Sequence, residues 1–153
     1  GQVIPKAALP TGSVLQVVNA TYSTYTTFSS STYADSGLTA SITPTSSTSK
    51  ILVIASINGT GKAGSNTALG ARLLRNASVI SNMDGDAGFD NSAGNNSIGS
   101  VMISYLDSPA TTSSTTYKVQ CNSLGNAASS RINDYYAGAG DSVSTITLME
   151  ISA

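Results

Sequence analysis

Apolar and polar positions alternate with a period of two along much of this chain. In "TYKVQCNS" (116–123), Tyr117, Val119 and Cys121 share one side while Lys118 and Gln120 take the other, which is the spacing of a half-buried strand. "STITLMEI" (144–151) sets Ile146, Leu148 and Glu150 against Thr145, Thr147, Met149 and Ile151. "KILVIASI" (50–57) is nearly continuous aliphatic, which predicts a central strand covered on both faces. "SVLQVVNATYS" (13–23), "LTASITP" (38–44) and "VMISYLD" (101–107) read as further strands, with a weaker one in "SRINDYYA" (130–137). "ALGARLLRNASVI" (68–80) reads as two strands joined at Arg75-Asn76-Ala77-Ser78, with asparagine where a tight hairpin needs positive φ.

Two stretches lack this rhythm. "GQVIPKAALPTG" (1–12), with Pro5, Pro10 and Gly12, predicts an extended arm ahead of a domain at 13–153. "SNMDGDAGFDNSAGNNSIGS" (81–100) is rich in Gly, Asn and Asp and predicts a long polar loop. With eight to nine strands and no convincing helix, the expected fold is an all-β antiparallel sandwich of jelly-roll type.

Composition narrows the function. At 153 residues the chain is long enough for one domain with its own core. Hydrophobic residues make up 40%, in patterned runs, which argues against disorder. Charged residues make up only 10%, against roughly 25% in an average soluble domain. Seven Lys/Arg balance eight Asp/Glu, so no basic patch speaks for nucleic acid, and no apolar run is long enough for membrane insertion as a helix. With no histidine, the usual general base and the commonest metal ligand are missing. No spacing selects a pair among Asp107, Asp134, Asp141 and Glu150 for glycoside hydrolysis, so no enzyme is expected. Cys121, in an apolar alternation, reads as a small buried hydrophobe.

Several phrases carry a resemblance: "ALPTGSVLQVV", "TYADSGLTASITPTSSTSKILVIASING", "LLRNASVI", "YLDSPATTSSTTYKVQ" and "STITLMEI". Together they resemble the C-terminal domains of tail-fibre and related structural proteins of tailed phages, many of them marine. That resemblance covers nearly the whole chain from Ala8. It implies a virion protein with a homotrimeric head at the tip of a fibre, similar to complement and tumour-necrosis-factor jelly rolls. It implies other virion proteins and a host-surface glycan or protein as partners, and leaves capsid decoration as the alternative.

The candidate receptor contacts are Asp84, Asp86, Phe89, Asp90, Asn95 and Asn96 in the polar segment, and Asp134, Tyr135 and Tyr136, an acid beside aromatic rings able to stack on a sugar. Asp84, Asp86 and Asp90 are also a weak calcium candidate; the calcium-loop pattern fails because Gly88 occupies its fifth position and no glutamate closes it, so no cofactor is expected. The remaining expectation concerns Glu150, the single glutamate, which lies in line with Ile146 and Leu148. Arg72 and Arg75 fall on opposite faces of one strand, and either is a possible ion-pair partner for Glu150, within a subunit or across an interface that includes Met149 and Ile151. The other reading leaves Glu150 solvated at the strand's exit.

Overall fold

The computed structural model describes residues 9–91, 94, 96–125, 128–135 and 141–153. Ten strands form, and no helix is present among the described residues. They are β1 (Val14–Tyr22), β2 (Thr26–Phe28), β3 (Ala34–Ile42), β4 (Lys50–Lys62) and β5 (Thr67–Arg75), followed by β6 (Ser78–Asp90), β7 (Asn96–Asp107), β8 (Thr115–Gly125), β9 (Ser130–Ile132) and β10 (Ser144–Ile151).

Sheet A runs β1-β10-β4-β7, all antiparallel, and sheet B runs β3-β8-β5-β6. The short strands β2 and β9 extend sheet A alongside the far end of β4. Eight long strands in two four-stranded layers, with the chain passing repeatedly between layers, make a jelly roll. The fold class expected from alternation is the one that forms.

The core lies between the sheets. Ile51, Val53, Ala55 and Ile57 of β4 and Ile146 and Leu148 of β10 face Leu69, Ala71 and Leu73 of β5 and Tyr117, Val119 and Cys121 of β8. All are fully buried. Burying one such large aliphatic side chain stabilises by roughly 1.5–3 kcal/mol. Burial pushes the Cys121 thiol up to about 12, so it stays protonated and inert.

Two expectations need correction. The segment 81–100 is not a long loop, because most of it belongs to β6 and β7. Its register against β5 shifts repeatedly, and these bulges erase the two-residue period that would have marked β6 as a strand. As an edge strand, β6 tolerates such a broken ladder. Secondly, β4 is central but covered on one face only, since outward-facing Leu52 and Ile54 stay part-exposed.

The strand directions sort the connections onto two poles. The chain ends and the connections at 43–49, 76–77 and 108–114 lie at the near pole. Gly12 N donates to Ser152 O and Ser152 N to Ser13 O, each at 2.9 Å, so the two ends of the chain run side by side. Residues 1–8 of the expected arm lie outside the described residues. The opposite, distal pole carries β2 and β9 with the connections at 23–25, 29–33 and 63–66 and the described residues of those that follow β6, β8 and β9.

Candidate recognition surface at the distal pole

The distal pole is built on the extension of β4 beyond the main core. Asn133 N donates to Asn58 O (2.9 Å) and Asp134 N to Gly59 O (3.0 Å), which fastens the loop after β9 to this extension. Ala63 N donates to Ser129 O at 2.8 Å, and Asn66 N to Asp90 O at 2.7 Å. Asn133 Nδ2 reaches Thr24 O at 3.0 Å, and Asn122 Nδ2 reaches Ser31 O at 2.8 Å. Connections far apart in sequence, together with the end of β6, therefore share one hydrogen-bonded base.

Beneath them lie buried charges. Lys62 is fully buried and its Nζ pairs with the Asp90 carboxylate, tying sheet A to sheet B. Arg131, also buried, donates Nε to Asp134 Oδ2 at 2.5 Å and Nη1 to Lys62 O at 2.8 Å. Burying a charge is costly unless it is paired and hydrogen-bonded, so these contacts hold the loops in one arrangement. Gly125 closes the base at φ 99°; a Cβ there would sit 1.5 Å from Asn66 O.

The candidate receptor residues divide accordingly. Phe89 (55% exposed) and Tyr135 (76%) present large apolar surface at this pole, with Tyr25 also exposed there. Asp86 is exposed on β6, and its N–H donates to Asp84 Oδ1 at 3.0 Å. Asp84 is part-exposed on β6, and Asp90 is held by Lys62. Asp134 is a correction: it is buried against Arg131 and presents no carboxylate to a ligand. Asn95 and Tyr136 lie outside the described residues, as does the side chain of Asn96. Among the described residues no three His, Cys, Asp or Glu side chains gather as a metal ion would need; the three aspartates string along β6. Sequence reasoning missed Arg131 and the role of Lys62. The three-residue spacing of Arg131 and Asp134, in a chain so short of charge, was the available signal.

Glu150 belongs to the near pole and is fully buried. The pairing expected with Arg72 or Arg75 does not form within the subunit. Gln16 Nε2 donates to Oε2 at 2.6 Å, while Thr45 donates to Oε1 through both its N–H and its hydroxyl, each at 2.7 Å. Burial, the largest single effect, raises its pKa. Hydrogen bonds from Gln16 and from Thr45 outweigh it and hold the carboxyl below its ordinary range. The solvated reading fails as well.

Arg75 instead takes Asp107, with Nη1 at 2.9 and 3.0 Å from its two oxygens. Tyr117 donates its hydroxyl to the same carboxylate at 2.6 Å. Burial first, and then this carboxylate, push the Tyr117 phenol above its usual range. Both Asp107 and Glu150 register with Ile51, on opposite sides of β4. Arg75 meets the one on the β7 side. Arg72 points outward, bonds Gln120 Oε1 at 2.6 Å and lies over the Tyr33 ring, 4.1 Å from its centre. Met149 and Ile151 face outward from sheet A, whereas Glu150, facing inward, cannot touch a neighbouring subunit.

Two open clefts, of about 350 and 290 Å³, lie away from the distal pole: one beside Leu9, Leu15 and Ser152, the other beside Asp35, Gly37 and Lys118.

No family model matches the sequence, and no curated protein matches it. Among solved structures, the chain is similar to VP2 of the infectious bursal disease virus subviral particle. The TM-score is 0.50 at 11% identity, over 92% of this chain and 39% of that one. The likeness is one of fold. Structures of the Gt and Gx strains of infectious bursal disease virus align with TM-scores of 0.48 and 0.45, each at 11% identity over 99% of this chain, covering 42% and 46% of theirs. The chain thus spans less than half the length of these proteins.

Proposed function

We propose that this chain is a virion structural protein whose jelly roll forms a homotrimeric head at the tip of a tail fibre and contacts a host-surface glycan or protein with its distal pole. The observation that carries the reading is the separation of the poles. Gly12, Ser13 and Ser152 lie together at one, while polar connections and the exposed rings of Phe89 and Tyr135 occupy the other. A domain tethered at one end presents the opposite end outward. Shallow contacts of aromatic faces and hydroxyl-rich loops suit sugars, and several copies on one fibre raise the overall affinity by avidity. The buried ion pairs favour a binding surface over a catalytic one, because their charged groups are already engaged.

The test is binding of the labelled full chain to an array of bacterial surface polysaccharides and to whole bacteria. Phe89→Ala and Tyr135→Ala together should reduce retention at least about tenfold, a loss of roughly 1.4 kcal/mol. Retention unchanged in the double variant would remove the distal pole as the contact. The likeness of fold to a viral particle protein favours one second reading, decoration or assembly of a capsid. Deleting residues 1–12 separates the two. Loss of particle attachment by an intact domain supports decoration, and retained binding to cells supports adhesion.

A further inference from the structure

The two sheets differ on their outer faces. On sheet B the outward side chains of β3, β8 and Arg72 are mostly charged or polar and satisfy one another, with Val79 of the edge strand an exposed apolar exception. Lys118 pairs with Asp35 at 2.8 Å, Gln120 donates to Asp35 at 2.8 Å, and Arg72 bonds Gln120 while stacking on Tyr33. Hydrogen bonds to Lys118, and then to Gln120, hold the Asp35 carboxyl below its ordinary range. That network is complete in water as it stands.

Sheet A has no such coat. Val17, Met149, Leu52 and Leu106 stand in one registered row across β1, β10, β4 and β7. All four point away from the core, and Val17 and Leu106 are more than half exposed. The row on the distal side holds Asn19, Thr147, Ile54 and Ser104, with Asn19 Nδ2 bonded to Thr147 Oγ1 at 2.8 Å. Beyond it come Thr21, Thr145, Ser56 and Met102 (64% exposed). Lys50, at the near-pole rim, is the one charged side chain among the outward positions of these four strands. The carboxylates of Glu150 and Asp107, on the same strands, are turned inward.

We infer that the outer face of sheet A is the surface through which copies of this chain meet, with the Val17-Met149-Leu52-Leu106 row at its centre. The inference rests on the self-assembly proposed above and assigns it a face. A contiguous exposed apolar patch on a sheet marks an interaction surface. Its lack of charge selects the occupant. A charged partner would gain nothing here, whereas further copies of this uncharged face gather around a symmetry axis without like-charge repulsion, and soluble oligomers are mostly symmetric assemblies of one chain. Four strands about 4.8 Å apart, over three rows of outward residues, span roughly 300–400 Å² in projection. A standard interface buries about 800 Å² per partner. The face alone therefore supports association that depends on concentration and that tethering on a common fibre or shell strengthens.

The test is the solution mass of the full chain by sedimentation equilibrium, from low to high micromolar, for the parent, for Val17→Lys and Leu106→Lys together, and for Val79→Lys. Val79 is an exposed apolar residue of β6, outside this face. The parent should associate with concentration, Val79→Lys should match it, and the double variant should stay monomeric with unchanged far-ultraviolet circular dichroism. Association at least about tenfold weaker in the double variant supports the assigned face. A double variant that assembles like the parent overturns the face and leaves the proposed self-assembly standing. A parent that is monomeric throughout overturns both. A dimer in place of a trimer supports the face and removes the three-fold arrangement.

Discussion

The two poles of this jelly roll use charge in different ways. At the near pole, the buried acids Glu150 and Asp107 are met by short-range donors: Gln16, Thr45, Arg75 and Tyr117. At the distal pole, the connections rest on the buried cations Lys62 and Arg131, each meeting a carboxylate from a connection or strand end. Acids sit within strands at one end, and cations under loops at the other. The near pole closes the sandwich, and the distal pole holds an irregular surface in a fixed shape.

The largest expected effect comes from breaking the distal base. Asp134→Ala removes the carboxylate that faces Arg131 Nε and should destabilise the domain by about 3–5 kcal/mol in urea unfolding. A change under 1 kcal/mol, about the worth of an exposed pair, would mean that this ion pair is not buried in solution.

At the near pole, Glu150→Gln should cost about 1–3 kcal/mol near neutral pH, because Gln keeps one acceptor oxygen in place of two and its NH2 must face a donor, Gln16 Nε2 or Thr45. The pH dependence sharpens this. The folded pKa of Glu150 lies below its ordinary 4.5, so the carboxylate adds stability above that value and loses it as pH falls through the lower folded pKa. The parent should therefore lose stability across that acid window and the variant should lose less. Parallel profiles would show that Glu150 is not the group responsible.

Tyr117→Phe removes one buried donor to Asp107 while Arg75 remains, and should cost about 1–2 kcal/mol by thermal or urea unfolding. The smallest effect on folding is expected at the distal surface itself. Tyr135→Ala should stay within about 0.5 kcal/mol of the parent, while reducing retention on surface polysaccharide. A large loss of stability there would make Tyr135 part of the base rather than of the surface.

Much of the sandwich was legible in the sequence. The inward set of β8, Tyr117, Val119 and Cys121, follows from alternation alone, as does that of β10. The hairpin between β5 and β6 was legible too, with Asn76 at φ 52° and Arg75 paired to Ser78. The course of β6 was not, because bulges against β5 break the period by which a strand is recognised. Nor was the coverage of β4: a run of aliphatics marks a central strand, but here it serves one buried face and one outer face.

The sequence by itself determined the all-β class, the side of each regular strand that enters the core, and the scarcity of charge that makes every ion pair informative. Those properties are local, since a side chain's face follows from its position along one strand. Only the tertiary structure decided which strands became neighbours. That choice gave Glu150 to Gln16 and Thr45 rather than to an arginine. It brought Lys62 to Asp90, and it aligned four outward residues from β1, β10, β4 and β7 into one apolar row. A buried polar group takes the partner that the sheet order sets beside it, and sheet order is a property of the whole chain.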